Sequence, residues 1–320
     1  MGNVKICAII VTFNRKSLLS RCLKAVINQS KKVDTIIIID NASTDSTFEY
    51  LVCERLIKDE ILKTDAILNV SINNQTILYY RTSSNVGGAG GFYLGLKTAH
   101  ELNKFDFYWL MDDDGYPSSE CLDSQLEYAT TNDYVMPVSV DINNHESLSW
   151  ATRKRNGNKT LCLQELRNDW GKVMPFIFPF NGSLLSKTIV EDVGYINPKL
   201  FIWGDDYEHY YRCIKAGYSP ITILNAEFYH PINKAPTIPI IWGTIHVPFV
   251  ESKLRFICLI RNWIYIYRNN HKYFKIILNF MAYSWLFIIT RKFDISGYKL
   301  YLCSFKDGLI GHFERHKLYL

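Results

Sequence analysis

Phe105-Asp106-Phe107-Tyr108-Trp109-Leu110-Met111-Asp112-Asp113-Asp114 is the stretch from which the rest of the chain is read. Phe105 to Met111, mostly aromatic and aliphatic, has the composition of a buried strand, and three carboxylates follow at once. Adjacent like charges repel, so a fold tolerates three of them most easily in solvent or around a cation. Oxygen-only ligation of this sort suits Mg²⁺ or Mn²⁺, above all where a diphosphate completes the shell. In an open α/β sheet, ligands bind at the carboxyl ends of strands, which is where these aspartates fall. A solvated turn is the plain alternative, since Gly115, Tyr116 and Pro117 follow. The company the triplet keeps decides between the two.

The totals set the frame. A chain of 320 residues, 48% hydrophobic and 14% aromatic, suits one large domain or a catalytic domain with an appendage. Its 8 cysteines are scattered without a CxxC pair, which points to reduced thiols in a cytosolic protein rather than a disulfide framework or a zinc site. Met1 to Lys5 runs directly into a strand-like segment with no small-residue cleavage site, so no secretory signal is expected. The net charge of +5 is modest and unevenly spread.

Ile6 to Phe13, ICAIIVTF, is a continuous apolar run of the length of a buried parallel strand. Ser17 is placed to cap a helix carrying Leu18, Leu19, Cys22, Leu23 and Val26 at helical spacing. A second strand, Thr35 to Ile39, ends in the polar cluster Asp40 to Asp45, and a helix from Thr47 to about Leu56 follows. A third strand, Ile77 to Arg81, leads to Asn85-Val86-Gly87-Gly88-Ala89-Gly90-Gly91 and then a helix, Phe92 to Glu101. This alternation predicts a doubly wound α/β half, with Thr12 to Arg15, Asp40-Asn41, Asn85 and Asp112 to Asp114 along one sheet edge. The glycines argue against a nicotinamide dinucleotide. The first strand–helix junction, TFNRKS, contains none, so the GxGxxG turn is absent there, and a Walker lysine is missing too. A nucleotide would have to be held by carboxylate, amide and metal.

Pro137 to about Met174 reads as polar and irregular, with Trp150, Arg153, Arg155 and Trp170 standing out. Pro175 to Leu185, PFIFPFNGSLL, returns to strand composition around Asn181-Gly182. Leu200 to Arg212, LFIWGDDYEHYYR, puts Asp205 and Asp206 at the start of a helix running to about Ala216, with Gly217 as its stop. Acidic residues there commonly cap a helix and complement its dipole. The functional reading is a general base beside an aromatic wall of Phe201, Trp203 and Tyr207. His230 closes the run Glu227-Phe228-Tyr229-His230. A lone histidine is more often structural than metal-bound.

Taken together, VTFNR, DNASTD, NVGGAGG, WLMDDD, WGDDYE and a late histidine, in that order, resemble the family-two inverting glycosyltransferases of GT-A fold. Within that family the chain is most similar to the galactofuranosyltransferase branch, where NVGGAGGF and MDDD occur together. The resemblance spans roughly Val4 to Pro231. It implies an α/β fold with a Rossmann-like, mostly parallel sheet flanked by helices and a C-terminal helical extension. The catalytic domain would occupy 1–245, with a nucleotide-sugar half to about 117 and an acceptor half from 118, and the tail 246–320. By the resemblance, Thr12, Arg15, Asp40, Asn41, Asn85, Gly87, Gly88, Asp112 and Asp113 fall to the nucleotide-sugar. Asn41 stands where relatives often carry a second Asp that contacts uracil. Asp112 and Asp114 form the metal site and His230 completes it, a mixed O/N set that suits Mn²⁺ better than Mg²⁺. Asp206 matches the catalytic base, with Asp205 beside it, while Trp203, Asn181 and Glu208 are placed on the acceptor side.

These residue types fit the chemistry directly. A divalent ion neutralises a leaving diphosphate, and a carboxylate within reach takes the proton of an attacking hydroxyl. No Ser-His or Cys-His pair at motif spacing suggests a covalent route.

Between Ser252 and Phe293 there is no Asp or Glu, yet Lys253, Arg255, Arg261, Arg268, Lys272, Lys275, Arg291 and Lys292 are interleaved with aromatics. The uncharged run Ile276 to Thr290 is about 15 residues, short of the roughly 20 that span a bilayer. A peripheral helix on an anionic inner leaflet is the preferred reading, and core helices packed on the catalytic domain the rival. Nucleic acid is a poorer partner, since the aliphatic runs would have nothing to bury them. The expectation is a cytoplasmic, membrane-peripheral enzyme that moves galactofuranose from UDP-galactofuranose to a lipid-linked or growing surface glycan. A dTDP-sugar rhamnosyltransferase is the runner-up, and a nucleotidyltransferase the alternative of another class.

Overall fold

The computed structural model of the chain describes residues 4–72, 74–175, 181–232 and 236–320. The chain divides into two compact units, Met1–Pro198 with His209–Asn233, and Lys199–Glu208 with Lys234–Leu320.

The first unit opens with β1 (Ile6–Thr12), α1 (Lys16–Ile27), β2 (Thr35–Asp40), α2 (Thr47–Cys53), β3 (Ile67–Asn69), β4 (Thr76–Arg81), α3 (Gly87–Glu101) and β5 (Phe107–Asp112). Every residue of β1 and β2 is buried, as central parallel strands covered on both faces require. β1 runs parallel to β2 and to β5, and β2 parallel to β4. The register opposes Thr12 to Asp40, Asp40 to Arg81 and Val11 to Asp112, so the polar strand ends share one edge.

The chain continues through β6 (Tyr116–Pro117), α4 (Cys121–Ala129), β7 (Tyr134–Asp141), β8 (Asn144–Arg153), β9 (Lys159–Cys162), α5 (Leu163–Trp170), β10 (Val173–Met174), β11 (Asn181–Ser186), α6 (Lys187–Val193), α7 (Asp205–Lys215) and β12 (Ile221–His230). The sheet order is β10-β12-β7-β11-β5-β1-β2-β4-β3. β11 is antiparallel to β5 and β7, and β12 parallel to β7.

Three local expectations are corrected. Helix α3 begins at Gly87, not Phe92, so the glycines lie inside it. A Cβ on Gly91 would sit 2.5 Å from Val11 Cγ1, and one on Gly95 2.4 Å from Ile9 Cγ2. The glycine run therefore lets α3 lie close on β1. Ser17 does not cap α1, which already starts at Lys16. The segment from Pro137 to Met174 is mostly strand rather than irregular, and β8 hides its periodicity because its first half is exposed and only Leu148, Ser149 and Thr152 turn inward. Of the strand expected over Pro175 to Leu185, residues 176–180 lie outside the described residues, and β11 takes up from Asn181.

The second unit holds the hairpin β13 (Thr237–Ile240) and β14 (Ile245–Pro248), then α8 (Lys253–Asn269), α9 (Tyr273–Trp285) extended by a π-helical turn over Leu286–Thr290, and α10 (Ile295–Ile310). Its core gathers Ile240, Val247, Phe256, Ile260, Ile264, Tyr283, Phe287 and Tyr301. β13 lies upstream of the expected boundary at 245, yet its Ile240 shares that core with Val247 of β14 and with these helices. Lys199–Glu208 joins them from far upstream, held by α8 as described below.

Candidate active site

The turn that follows β5 gives each carboxylate of the triplet a different setting. Asp113 is buried, 2% exposed, while Asp112 and Asp114 on either side of it are half-buried. Thr12 Oγ1 donates to Asp113 Oδ2 at 2.6 Å, and Arg15 Nη1 to Asp113 Oδ1 at 3.1 Å. Burial pushes the Asp113 carboxyl up to about 6, although Arg15 and Thr12 offset part of that rise. Arg15 Nη1 also reaches Asp114 Oδ2 at 2.9 Å. Burial acts to raise Asp114 as well, but hydrogen bonding and charge from His230 and Arg15 outweigh it and hold that carboxyl below its usual range.

His230 comes to Asp114 through a close strand contact. β6 pairs with β12, Tyr116 opposite Tyr229. Gly115 lies so near that a Cβ there would be 2.3 Å from Phe228 Cε1 and 2.8 Å from the Tyr229 carbonyl oxygen. His230 Nε2 is 3.2 Å from Asp114 Oδ1. Nδ1 lies 2.7 Å from the Pro231 carbonyl, which only accepts, so Nδ1 carries a proton and donates it there. In the neutral ring the Nε2 lone pair then faces a carboxylate oxygen, an arrangement that repels unless a proton or a cation lies between. This is the ligand orientation that a second partner on histidine commonly sets up for a metal. Trp150 stacks on the imidazole with ring centroids 4.8 Å apart, and Ser149 Oγ donates to the His230 carbonyl at 2.9 Å. Among the described residues no three His, Cys, Asp or Glu side chains form a ready-made cage. Asp114 and His230 are a pair that donor oxygens can complete, with Asp112 the adjoining carboxylate.

Other residues expected at the nucleotide turn out to brace the sheet edge. Asp40 is wholly buried: Tyr79 donates its hydroxyl to Oδ2 at 2.6 Å and Ser43 its backbone N–H to Oδ1 at 2.8 Å. Asn41 Nδ2 donates to the Gly87 carbonyl at 2.9 Å, and its Oδ1 accepts from Val86 N at 2.8 Å, tying β2 to the start of α3. Thr12 is engaged with Asp113. The side chains of Asp40, Asn41 and Thr12 are thus enclosed, and Arg15, Asn85 and Gly88 remain at the open edge. Asn85 Oδ1 accepts from Gly87 N at 2.8 Å, and a Cβ on Gly88 would meet nothing within 4 Å. Asn181 is buried on β11, opposite Met111.

Trp203, Asp205, Asp206 and Glu208 belong to the second unit. Asn262 of α8 donates through Nδ2 to the carbonyls of Leu200, Ile202 and Trp203 at 2.9, 2.9 and 2.7 Å, and Arg261 Nη2 to Leu200 O at 2.9 Å. The segment so held is strained, with Phe201 and Trp203 at φ of 69° and 66°. Trp203 is 39% exposed at this bend, and Asp205 and Glu208 are buried in the first turn of α7. Asp206 is half-buried, its Oδ1 accepting from Tyr207 N at 2.7 Å. Burial raises both aspartates above the usual carboxylate range, and repulsion from Asp206 adds to the rise of Asp205.

Sequence reasoning missed the inward role of Asp113, the stacking of Trp150 and the clamp of Arg261 with Asn262. The first lies in a turn, where no period signals which aspartate is enclosed. The others are contacts between segments far apart in the chain and leave no local signal.

The profile of the family described as Glycosyl transferase family 2 matches residues 7–194. The chain is 28% identical over 318 residues to galactofuranosyltransferase GlfT1 of Mycolicibacterium smegmatis, covering 97% of this chain and 98% of that one. Among solved structures it is similar in fold to S. aureus TarS residues 1–349 in complex with UDP-GlcNAc, at 13% identity and a TM-score of 0.58, over 99% of this chain and 84% of that one. It is also similar to GalNAc-T7 with UDP, GalNAc and Mn²⁺, at 14% identity and a TM-score of 0.54, over 82% of this chain and 50% of that one. The profile covers more than half of the 320 residues, and the fold is similar to that of these structures. The chain belongs to glycosyl transferase family 2 and is an inverting glycosyltransferase of GT-A fold.

Proposed function

We propose that the protein transfers galactofuranose from UDP-galactofuranose to a hydroxyl of a saccharide, lipid-linked or part of a growing surface glycan, at the cytoplasmic face of the cell membrane. The donor follows from the likeness to a galactofuranosyltransferase along nearly the whole chain. The observation that carries the chemistry is the opposition of His230 Nε2 and Asp114 Oδ1 with Nδ1 locked on Pro231. Asp112, Asp114 and His230 would hold a divalent ion, Mn²⁺ by the mixed donor set, and that ion supplies charge neutralisation for the departing diphosphate. Arg15 holds Asp114 in place and keeps a half-exposed guanidinium beside it for phosphate oxygens. Thr12 and Arg15 fix the buried Asp113 between its two half-buried neighbours.

The hydroxyl of the acceptor attacks the anomeric carbon opposite the UDP oxygen. The new C–O bond forms as the old one breaks, UDP leaves with the electron pair, and the carboxylate of Asp206 receives the hydroxyl proton. Its raised affinity for a proton, set by burial, favours that last step. Trp203 offers an exposed ring face for a sugar of the acceptor.

A donor panel of UDP-galactofuranose, UDP-galactopyranose and dTDP-rhamnose, with Mn²⁺ and a lipid-linked saccharide, tests this reading by UDP or dTDP release and by the anomeric configuration of the product. Turnover with UDP-galactofuranose and an inverted linkage is expected. Preference for dTDP-rhamnose would replace the donor assignment while leaving the family chemistry in place.

A further inference from the structure

The outer face of α9 is apolar where a water-soluble surface would be polar. Phe274, Ile277, Leu278 and Met281 form a stripe at helical spacing, with Phe274 70% and Met281 61% exposed. Only the opposite side of the helix is packed: Tyr283 stacks on Tyr301 at 5.0 Å, Tyr283 meets Phe256 edge-on, and Ile276, Leu286 and Phe287 are buried. The stripe runs on to Trp285, and there a second feature meets it. Trp242, in the turn between β13 and β14, is 88% exposed and touches Trp285 edge-on at 5.6 Å. A helix apolar around most of its circumference is normally buried, and a contiguous exposed apolar surface marks an interaction site.

Charge identifies what covers it. Lys272 and Lys275 stand at one end of the helix and Lys292 at the other, with no acidic residue between Ser252 and Phe293, while Arg291 beside Lys292 is paired with Asp294 at 2.9 Å and Glu251 at 3.5 Å. Arg291 also lines a cavity of about 400 Å³ together with Lys253, Lys299 and Arg315, where Glu251 and Asp294 are the acidic residues. Apolar stripe, interfacial tryptophans and cations at both ends are the pattern of a helix lying in the boundary of an anionic bilayer. The 18 residues Tyr273–Thr290 have the length and composition to cross a membrane. The packing of the inner side against α8 and α10 instead keeps that helix part of its own unit, which fits a helix lying along the surface.

We propose that α9, with Trp242 at its end, docks the protein on an anionic lipid surface. This deepens the lipid-linked acceptor reading, since such an acceptor lies in that surface, but it is tested without catalysis. The full chain is sedimented with vesicles of phosphatidylcholine alone or with about one third phosphatidylglycerol, a share that makes the surface strongly anionic. Binding to the anionic vesicles, largely released at high salt, is expected, together with quenching of tryptophan fluorescence by brominated lipid. F274S with M281S should cut partitioning at least tenfold, and W242F should remove a large share of the quenching. UDP binding with Mn²⁺ serves as the check that both variants are folded. Absence of binding to either vesicle overturns the proposal. So does a concentration-dependent dimer of the wild-type chain, seen by sedimentation without lipid and abolished by F274S with M281S, because the face then belongs to a second copy. Failure of the docking would leave the donor chemistry untouched.

Discussion

At the scale of single residues the sharpest assignments are Asp206 and its neighbour. Asp206→Asn is expected to lower kcat by 10²–10⁴-fold, the range for loss of a general base, with UDP affinity by calorimetry nearly unchanged. Burial raises both carboxyls, so the pair titrates above the ordinary aspartate value of about 3.9. A base must be ionised, so kcat/KM should rise with pH along a limb displaced above that value. Repulsion from Asp206 raises Asp205 and burial alone raises Asp206, so Asp205 still holds its proton along this limb and Asp205→Asn should leave the limb in place, read from the pH–rate profile. Stability runs the other way. A carboxyl whose pKa rises on folding stabilises the fold below its unfolded value, and that contribution is lost as pH rises through the folded value. Asp205→Asn should therefore flatten the decline of Tm with rising pH in the same window. Asp205 beside Asp206 is also where sequence was least able to separate roles: spacing of one residue in the first turn of a helix does not say which side chain is enclosed, and burial does.

At the scale of elements, the close seat of α3 on β1 rests on residues without side chains. Alanine in a helix interior is favoured over glycine by about 1 kcal/mol. At Gly95 that gain meets a Cβ 2.4 Å from a buried Ile9 methyl, and forced overpacking costs about 1–3 kcal/mol. Gly95→Ala should thus destabilise in urea titration, while Gly88→Ala, with open space around its Cβ, should not. A raised donor KM in Gly88→Ala at unchanged stability would place the nucleotide against that backbone. Helix α8 acts comparably on the bend before α7. Asn262→Ala takes this donor from the Ile202 and Trp203 carbonyls at a strained turn and leaves Leu200 O to Arg261, a loss of about 1–3 kcal/mol, and should weaken turnover as well, checked by urea titration alongside kcat. Elements with full burial, such as β1 and β2, were plain in the sequence because both faces are apolar. β8 was not, because a strand with one wet half carries too few inward residues to show a period.

At the scale of the whole molecule, the prediction concerns the metal. A ligand bound only by the folded state at about 100 times its Kd adds about 2.7 kcal/mol, or roughly 5–10 °C in Tm for a unit of this size. UDP with Mn²⁺ should give a shift of that order, EDTA should remove most of it, and His230→Ala should keep the modest shift from UDP alone while losing the Mn²⁺-dependent part. Asp114→Asn should behave likewise. Equal shifts with and without Mn²⁺ in the wild-type chain would set aside metal ligation by Asp114 and His230.

The sequence by itself determined the alternating strands and helices, the polar edge at their carboxyl ends and the order of the family motifs, because each is local: an apolar run, a charge triplet, a spacing. It also marked His230 and Asp114 as partners only through resemblance, since 116 positions separate them. Tertiary structure alone decided that Gly115 lets β6 and β12 approach, that His230 donates to Pro231 and so turns its other nitrogen on Asp114, and that Asp40, Asn41 and Thr12 face inward. It likewise decided that the apolar stripe of α9 lies outside. Composition is the same for a helix buried on all sides and for one that leaves a face bare, and only the packing of its neighbours tells them apart.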